Sequence, residues 1–184
     1  MSDDYAGIDF TVGSVRGIRR WTVDVNGRLH GVTHSDVWYP GENIAKCHCY
    51  PGDKRVKSKG EGEAWADYQK RVDAWKASHD LEEGDHGFYA YFGGKGEGGH
   101  YSNTPHVIGV IEGYGEVLIG TKGFRAMKAR ILALAVEPFE GMWKLDQFFL
   151  DRLRANYPVP VFESALAMSM EFPAEEPVFE EAAA

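Results

Sequence analysis

The sequence predicts an α+β fold, a strongly bent antiparallel sheet or small barrel with one inserted helix and one C-terminal helix. Three observations carry this. Extended β-rich runs surround an Asn-Gly turn signal near the start. Glycines recur at 109, 113, 115 and 120 inside an apolar strand pattern, where a sheet bends or lets another backbone approach. Helical spacing is clear in two stretches, one in the middle of the chain and one late in it.

The first element is a hairpin. "VRGIRRWTVDVNGRLHGVTH", residues 15–34, reads as two strands around Asn26 and Gly27. A type I′ turn needs positive φ at both central residues, which Asn-Gly supplies. The next strand end, at Cys47, His48 and Cys49, leads into a basic loop with Lys54, Arg55, Lys57 and Lys59. A helix follows in "EGEAWADYQKRVDAWKASH", where Trp65, Tyr68, Val72 and Trp75 share one stripe read as core contact. Asp67 and Arg71 are spaced as an i,i+4 ion pair on another face.

"HGFYAYF", 86–92, is aromatic without helical spacing and reads as a strand. "GGKGEGGHYSN", 93–103, lacks the Gly-Lys-Ser/Thr ending of a phosphate loop and reads as a connection. "HVIGVIEGYGEVLIG", 106–120, reads as two strands or one sharply bent strand, with a tight turn over 120–123. "FRAMKARILALAV" holds helix-favouring alanines and leucines, but its hairpin-like lead-in favours a strand. In "MWKLDQFFLDRLRANY", Leu145, Phe148, Phe149 and Leu153 form the buried face of a helix that Pro158 ends. "PVPVFES" returns as a short extended segment.

At 184 residues, 43% hydrophobic and 13% aromatic, the chain suits one domain with a real core. The expected organisation is a flexible acidic head over 1–12, a single globular domain over 13–170 and a disordered acidic tail over 171–184. The net charge of −8 invites a reading as a DNA mimic. The excess is terminal, however. Asp3, Asp4 and Asp9 lie in the head, and Glu171, Glu175, Glu176, Glu180 and Glu181 in the tail, which leaves residues 10–170 neutral. That pattern favours solvated ends over an acidic folded surface. Without an apolar run of membrane length or a basic, apolar leader, the expected location is the cytoplasm.

Catalytic signatures are scarce. There is no Gly-x-Ser-x-Gly elbow, His-Glu-x-x-His motif or dinucleotide fingerprint. Glu112 and Glu116 flank a glycine-rich bend as a conceivable carboxylate pair, although two glutamates on one strand face more often meet solvent. "DQFFLDRL" faintly matches peptides that dock on sliding clamps, but its amphipathic helical setting argues against that use.

The sharpest candidate is metal binding. Cys47 and Cys49 end one strand, His79 ends the Trp helix and His86 opens the next strand. If the ends of the inserted helix meet the sheet, these four supply a Cys2His2 set for a structural zinc. Cys-x-Cys is tighter than the usual Cys-x2-Cys, and alternating strand residues point to opposite faces. A set of Cys47, His79 and His86 with Asp85 or His48 as fourth ligand is equally drawable. The alternative is two reduced thiols and histidines at loop ends. Lys54, Arg55, Lys57 and Lys59, with Arg16, Arg19 and Arg20, are the candidate contacts to nucleic acid; the competing reading of the loop is a solvated one.

"RRWTVDVNGRLHGVTHSDVWYPGENIAKC", "HDLEEGDHGFYAYF" and "GVIEGYGEVLIGTKGFRAMKARILAL" resemble a family of uncharacterised proteins of actinobacteria and their phages, over about residues 16–135. The matching elements are Trp-x-Pro-Gly-Glu-Asn-x-x-x-Cys, a Gly-Phe/Ile-Tyr-Ala strand and a Gly-x-Val-x-Gly-Tyr/Trp-Gly strand pair. The resemblance implies ligand-like positions at Cys47, His79 and His86, although the place of a Cys-x-Cys before the Gly-Phe-Tyr-Ala strand is taken here by Asp85 and His86. It implies no activity. The expected function is therefore a non-enzymatic phage accessory protein that contacts a host protein in the bacterial cytoplasm. The competing expectations are a nucleic-acid-associated module and a small zinc-dependent protein.

Overall fold

Eight strands and three helices order the described part of a computed structural model, which comprises residues 8–9, 13–32, 36–46, 59–78, 87–93, 106–136 and 147–175. In chain order these are β1 (Ile8–Asp9), β2 (Ser14–Val23), β3 (Leu29–Gly31), β4 (Asn43–Ile44), α1 (Trp65–Ser78), β5 (Phe88–Tyr91), β6 (His106–Ile119), β7 (Gly123–Ala135), α2 (Gln147–Asn156), β8 (Val161–Phe162) and α3 (Ala165–Glu171). β6 pairs with β2, β2 with β5, β5 with β7 and β7 again with β6, all antiparallel. The sheet therefore closes into a ring. β8 is the exception in direction, joining β7 in parallel. The expected α+β class with a strongly bent sheet is what the chain forms.

The ring is narrow because glycines let it be. Phe124 lies inside, and its ring occupies the space a Cβ would need at Gly17 and at Gly113 on the neighbouring strand. A side chain at Gly109 would likewise strike Trp21 and the carbonyl of Ala133. β6 stays one strand throughout. It bends at an irregularity between Tyr114 and Val117, where Gly115 has φ +79°. β7 resolves the competing helix signal: Ala126 and Ala129 line the crowded interior, while Ala133 and Ala135 accept α3 on the outside. Their small size answers close packing on both faces, not helix propensity.

The inner core contains Val15, Trp21, Leu29, Trp38, Val107, Ile111, Phe124, Leu134, Leu153 and Tyr157 among others. Trp21 meets Trp38 edge-on with ring centroids 5.2 Å apart, and Trp38 meets Phe88 at 4.5 Å. Outside the ring, Met168 of α3 packs on Val110, Ala133 and Ala135. Ser164 caps α3, its hydroxyl accepting from the Ala167 N–H at 3.2 Å.

Several expectations change. The hairpin turn is not type I′ at Asn26 and Gly27. The Gly27 N–H donates to the Asp24 carbonyl, so the turn begins two residues before Asn26, and Gly27 takes φ +74° at its end. The Asp24 carboxylate selects this register by accepting the backbone N–H groups of Asn26 and Arg28. In α1, Tyr68 and Val72 are buried with Trp75 packed against them, but Trp65 is 66% exposed. Arg71 reaches back to Glu63 at 3.0 Å instead of pairing with Asp67. In α2, Leu153 is buried while Phe148 is exposed beneath the Arg152 guanidinium. α3 is an additional helix that the expected pair of helices omitted.

Two boundaries also move. Residues 8–9, inside the expected flexible head, pair with β6. Phe172 packs beside Phe162, and Glu175 bridges to Arg16 of β2 although both lie in the expected tail. β2 needs partners along this edge: β3 takes its far end, β5 its middle, and Glu175 the stretch at Arg16.

Candidate functional site

Alternation along β2 sends Ser14, Arg16, Ile18 and Arg20 to one face of the ring and Val15, Gly17, Arg19 and Trp21 to the other. The outer face holds a buried charge, Glu112, and the inner face a half-buried one, Arg19, and the two are treated differently.

On the outer face, Glu112 of β6 lies between Arg16 of β2 and Arg130 of β7 by register. Its carboxylate accepts a hydrogen bond from the Ser14 hydroxyl at 2.7 Å and one from Arg130 Nε. Burial alone would raise its pKa. The Ser14 hydrogen bond, then Arg130 and the Arg16 charge, outweigh burial and hold the carboxyl below its ordinary 4.5. Arg16 also meets Glu175 at 3.3 Å. Next along the face, the Tyr114 hydroxyl donates to Glu42 at 3.0 Å and Lys128 pairs with the same carboxylate at 3.4 Å. Glu112, Arg16, Arg130, Glu42 and Lys128 thus each meet an opposite charge.

On the inner face, Arg19 enters the aromatic cluster. Its Nη1 donates to the Tyr89 carbonyl at 2.6 Å. Its guanidinium carbon lies 4.8 Å from the Trp38 ring and 5.8 Å from that of Phe88. Its Nε is closed to solvent and has no hydrogen-bond partner. Two residues on, the fully buried Trp21 also has an indole N–H without an acceptor. Desolvation pulls the Arg19 pKa from 12.5 to about 10, although the Tyr91 and Tyr89 hydroxyls act against the fall.

A third polar centre ties the end of α2 to the hairpin. The buried Tyr157 hydroxyl accepts from the Leu29 N–H at 2.8 Å and donates to the Trp38 carbonyl at 2.7 Å. This fixes Trp38, and through it the aromatic surface beneath Arg19.

The residues singled out from sequence fall elsewhere. Cys47, Cys49, His79, His86, Lys54, Arg55 and Lys57 lie outside the described residues, as do His48 and Asp85; Lys59 is described and exposed. Among the described residues, no group of three or more His, Cys, Asp or Glu is placed to hold a metal. The expected nucleic-acid contacts separate: Arg16 and Arg20 face outward, whereas Arg19 faces the core. Glu112 and Glu116 also separate, the first buried and paired, the second exposed. No described helix is long and apolar enough to cross a membrane.

Sequence reasoning named Arg19 only as one of three basic residues. Its place two residues before Trp21 within the β2 alternation was the available sign that it shares the core face. Tyr157 carried no sign beyond an aromatic at a helix end.

The chain is thus an α+β protein built on a closed antiparallel ring, with a buried carboxylate on the outer face and a half-buried guanidinium on the inner one. No family model, curated protein or solved structure matches it.

Proposed function

We propose that this is a non-enzymatic phage accessory protein that acts by contact with a protein of its bacterial host. The supporting observation is the patch where α2 meets the β2–β3 hairpin. Val25 is 68% and Phe148 54% exposed. Arg152 links them, with its guanidinium 4.0 Å over the Phe148 ring and Nη1 donating to the Val25 carbonyl at 2.6 Å. α2 seats tightly on the hairpin, since a Cβ at Gly27 would strike Arg152 and the Leu153 backbone. The patch is therefore held in place. An aromatic, an arginine and an aliphatic side chain presented together form the kind of anchor that dominates protein interfaces. The source and the host setting rest on the family resemblance.

A photo-crosslinking residue at position 148, in protein expressed in actinobacterial cells, tests this reading. It should capture a discrete host protein that the same residue at exposed Lys70 does not capture, and Val25→Ser should reduce the yield. Equal capture from both positions, or none from position 148, would overturn the proposal.

A further inference from the structure

Two buried N–H donors without acceptors lie on one face of one strand. Arg19 Nε and Trp21 Nε1 are both closed to solvent and unpartnered. Both side chains rest against Trp38, the indole edge-on at 5.2 Å and the guanidinium over the ring at 4.8 Å. Buried polar groups are nearly always satisfied, and a pair left open marks a place for something that accepts.

The missing group must also balance charge. Among the described residues no carboxylate forms an ion pair with Arg19, in contrast to Arg16, Lys128 and Arg130 on the outer face. A water molecule would satisfy one N–H and leave the guanidinium uncompensated. An anion does both. Nη1 is committed to the Tyr89 carbonyl, so the free edge of the guanidinium is the Nε and Nη2 side. Those two N–H groups run parallel at the spacing of carboxylate oxygens, the basis of bidentate recognition. The aromatic surroundings strengthen the attraction by excluding water.

We propose that Arg19 and Trp21 form the donor side of a binding site for a small carboxylate on the inner face of the ring. Arg19 supplies the charge and a two-point contact. Trp21 supplies one further donor, and Trp38 and Phe88 back the guanidinium so that its edge stays fixed. The site is independent of the α2 patch and of the protein-contact reading.

Acetate and formate are the probes, titrated into the full chain at neutral pH with sodium chloride at equal ionic strength as control. Each acid should raise the melting temperature along a saturating curve and move the Trp21 indole N–H resonance, identified from Trp21→Phe. Arg19→Met should lose both responses, and Arg20→Met on the outer face should keep them. A wild-type protein without a saturable response to either acid would overturn the proposal, whether or not Arg19→Met folds. So would a response matched by chloride, or one retained in Arg19→Met.

Discussion

Glu112 is buried and Arg19 half-buried with its Nε closed to solvent; both lie on the central strands, and the fold treats them in opposite ways. Glu112 receives a hydroxyl, a guanidinium and a second positive charge from the strands on either side. Arg19 receives one carbonyl, two aromatic faces and no carboxylate among the described residues. Desolvating a charge costs several kcal/mol, and partners must offset it. Where they do, the charge serves the fold. Where they do not, the fold carries an unmet cost, and that cost is the sign of a site.

The comparison depends first on a rigid inner face. Gly113→Val would place a branched side chain in the space of the Phe124 ring. In a closed ring the strands cannot separate to relieve it, so the loss should be on the order of 3 kcal/mol or more. Chemical denaturation measures it, and a loss below about 1 kcal/mol would mean that the ring gives way and Arg19 is not held.

Next in size is Tyr157→Phe. It removes one hydroxyl and leaves the Leu29 N–H and the Trp38 carbonyl without their partner, at about 2 kcal/mol in total. The change should also broaden the Trp38 indole resonance in an NMR spectrum, because Trp38 loses its tether. A stability unchanged within error would show that the cluster under Arg19 is fixed by packing alone.

Glu112→Gln should cost about 1–2 kcal/mol near neutral pH, since the partners remain and one of them, Arg130, is well solvated. The pH dependence has a definite sign. The folded pKa of Glu112 lies below its ordinary 4.5, so its stabilisation is complete above that value and is lost as pH falls through the folded pKa. The gap between wild type and variant should be flat from pH 6 to pH 8 and close under acid. A gap that persists at pH 3 would assign the effect to the Ser14 hydrogen bond instead of charge.

Much of the fold was legible because its causes are local. Glycine spacing in 106–120 announced the bent strand, and the aromatic run at 86–92 announced β5. The turn at 24–28 was misread because the Asp24 side chain, not the Asn-Gly pair, chooses the register. α3 was missed because its stability comes from Met168 meeting alanines more than thirty residues earlier in the chain. The candidate site was least legible. In Arg-Arg-Trp, alternation with Trp21 puts Arg19 on the core face but does not show which groups surround it there. That no carboxylate among the described residues pairs with Arg19 is a property of the assembled core alone.

The most direct test of this contrast is the stability of Arg19→Met measured by chemical denaturation in a buffer free of carboxylates. Methionine fills much of the same volume without charge. It forfeits a charged hydrogen bond worth about 1.5–3 kcal/mol and cation–π contacts of about 0.5–2 kcal/mol, but it relieves a desolvation cost of several kcal/mol. The variant is expected to be as stable as the wild type or more so. A loss equal to or larger than that of Glu112→Gln would contradict the account, because it would show that the Arg19 charge is already compensated within the folded chain.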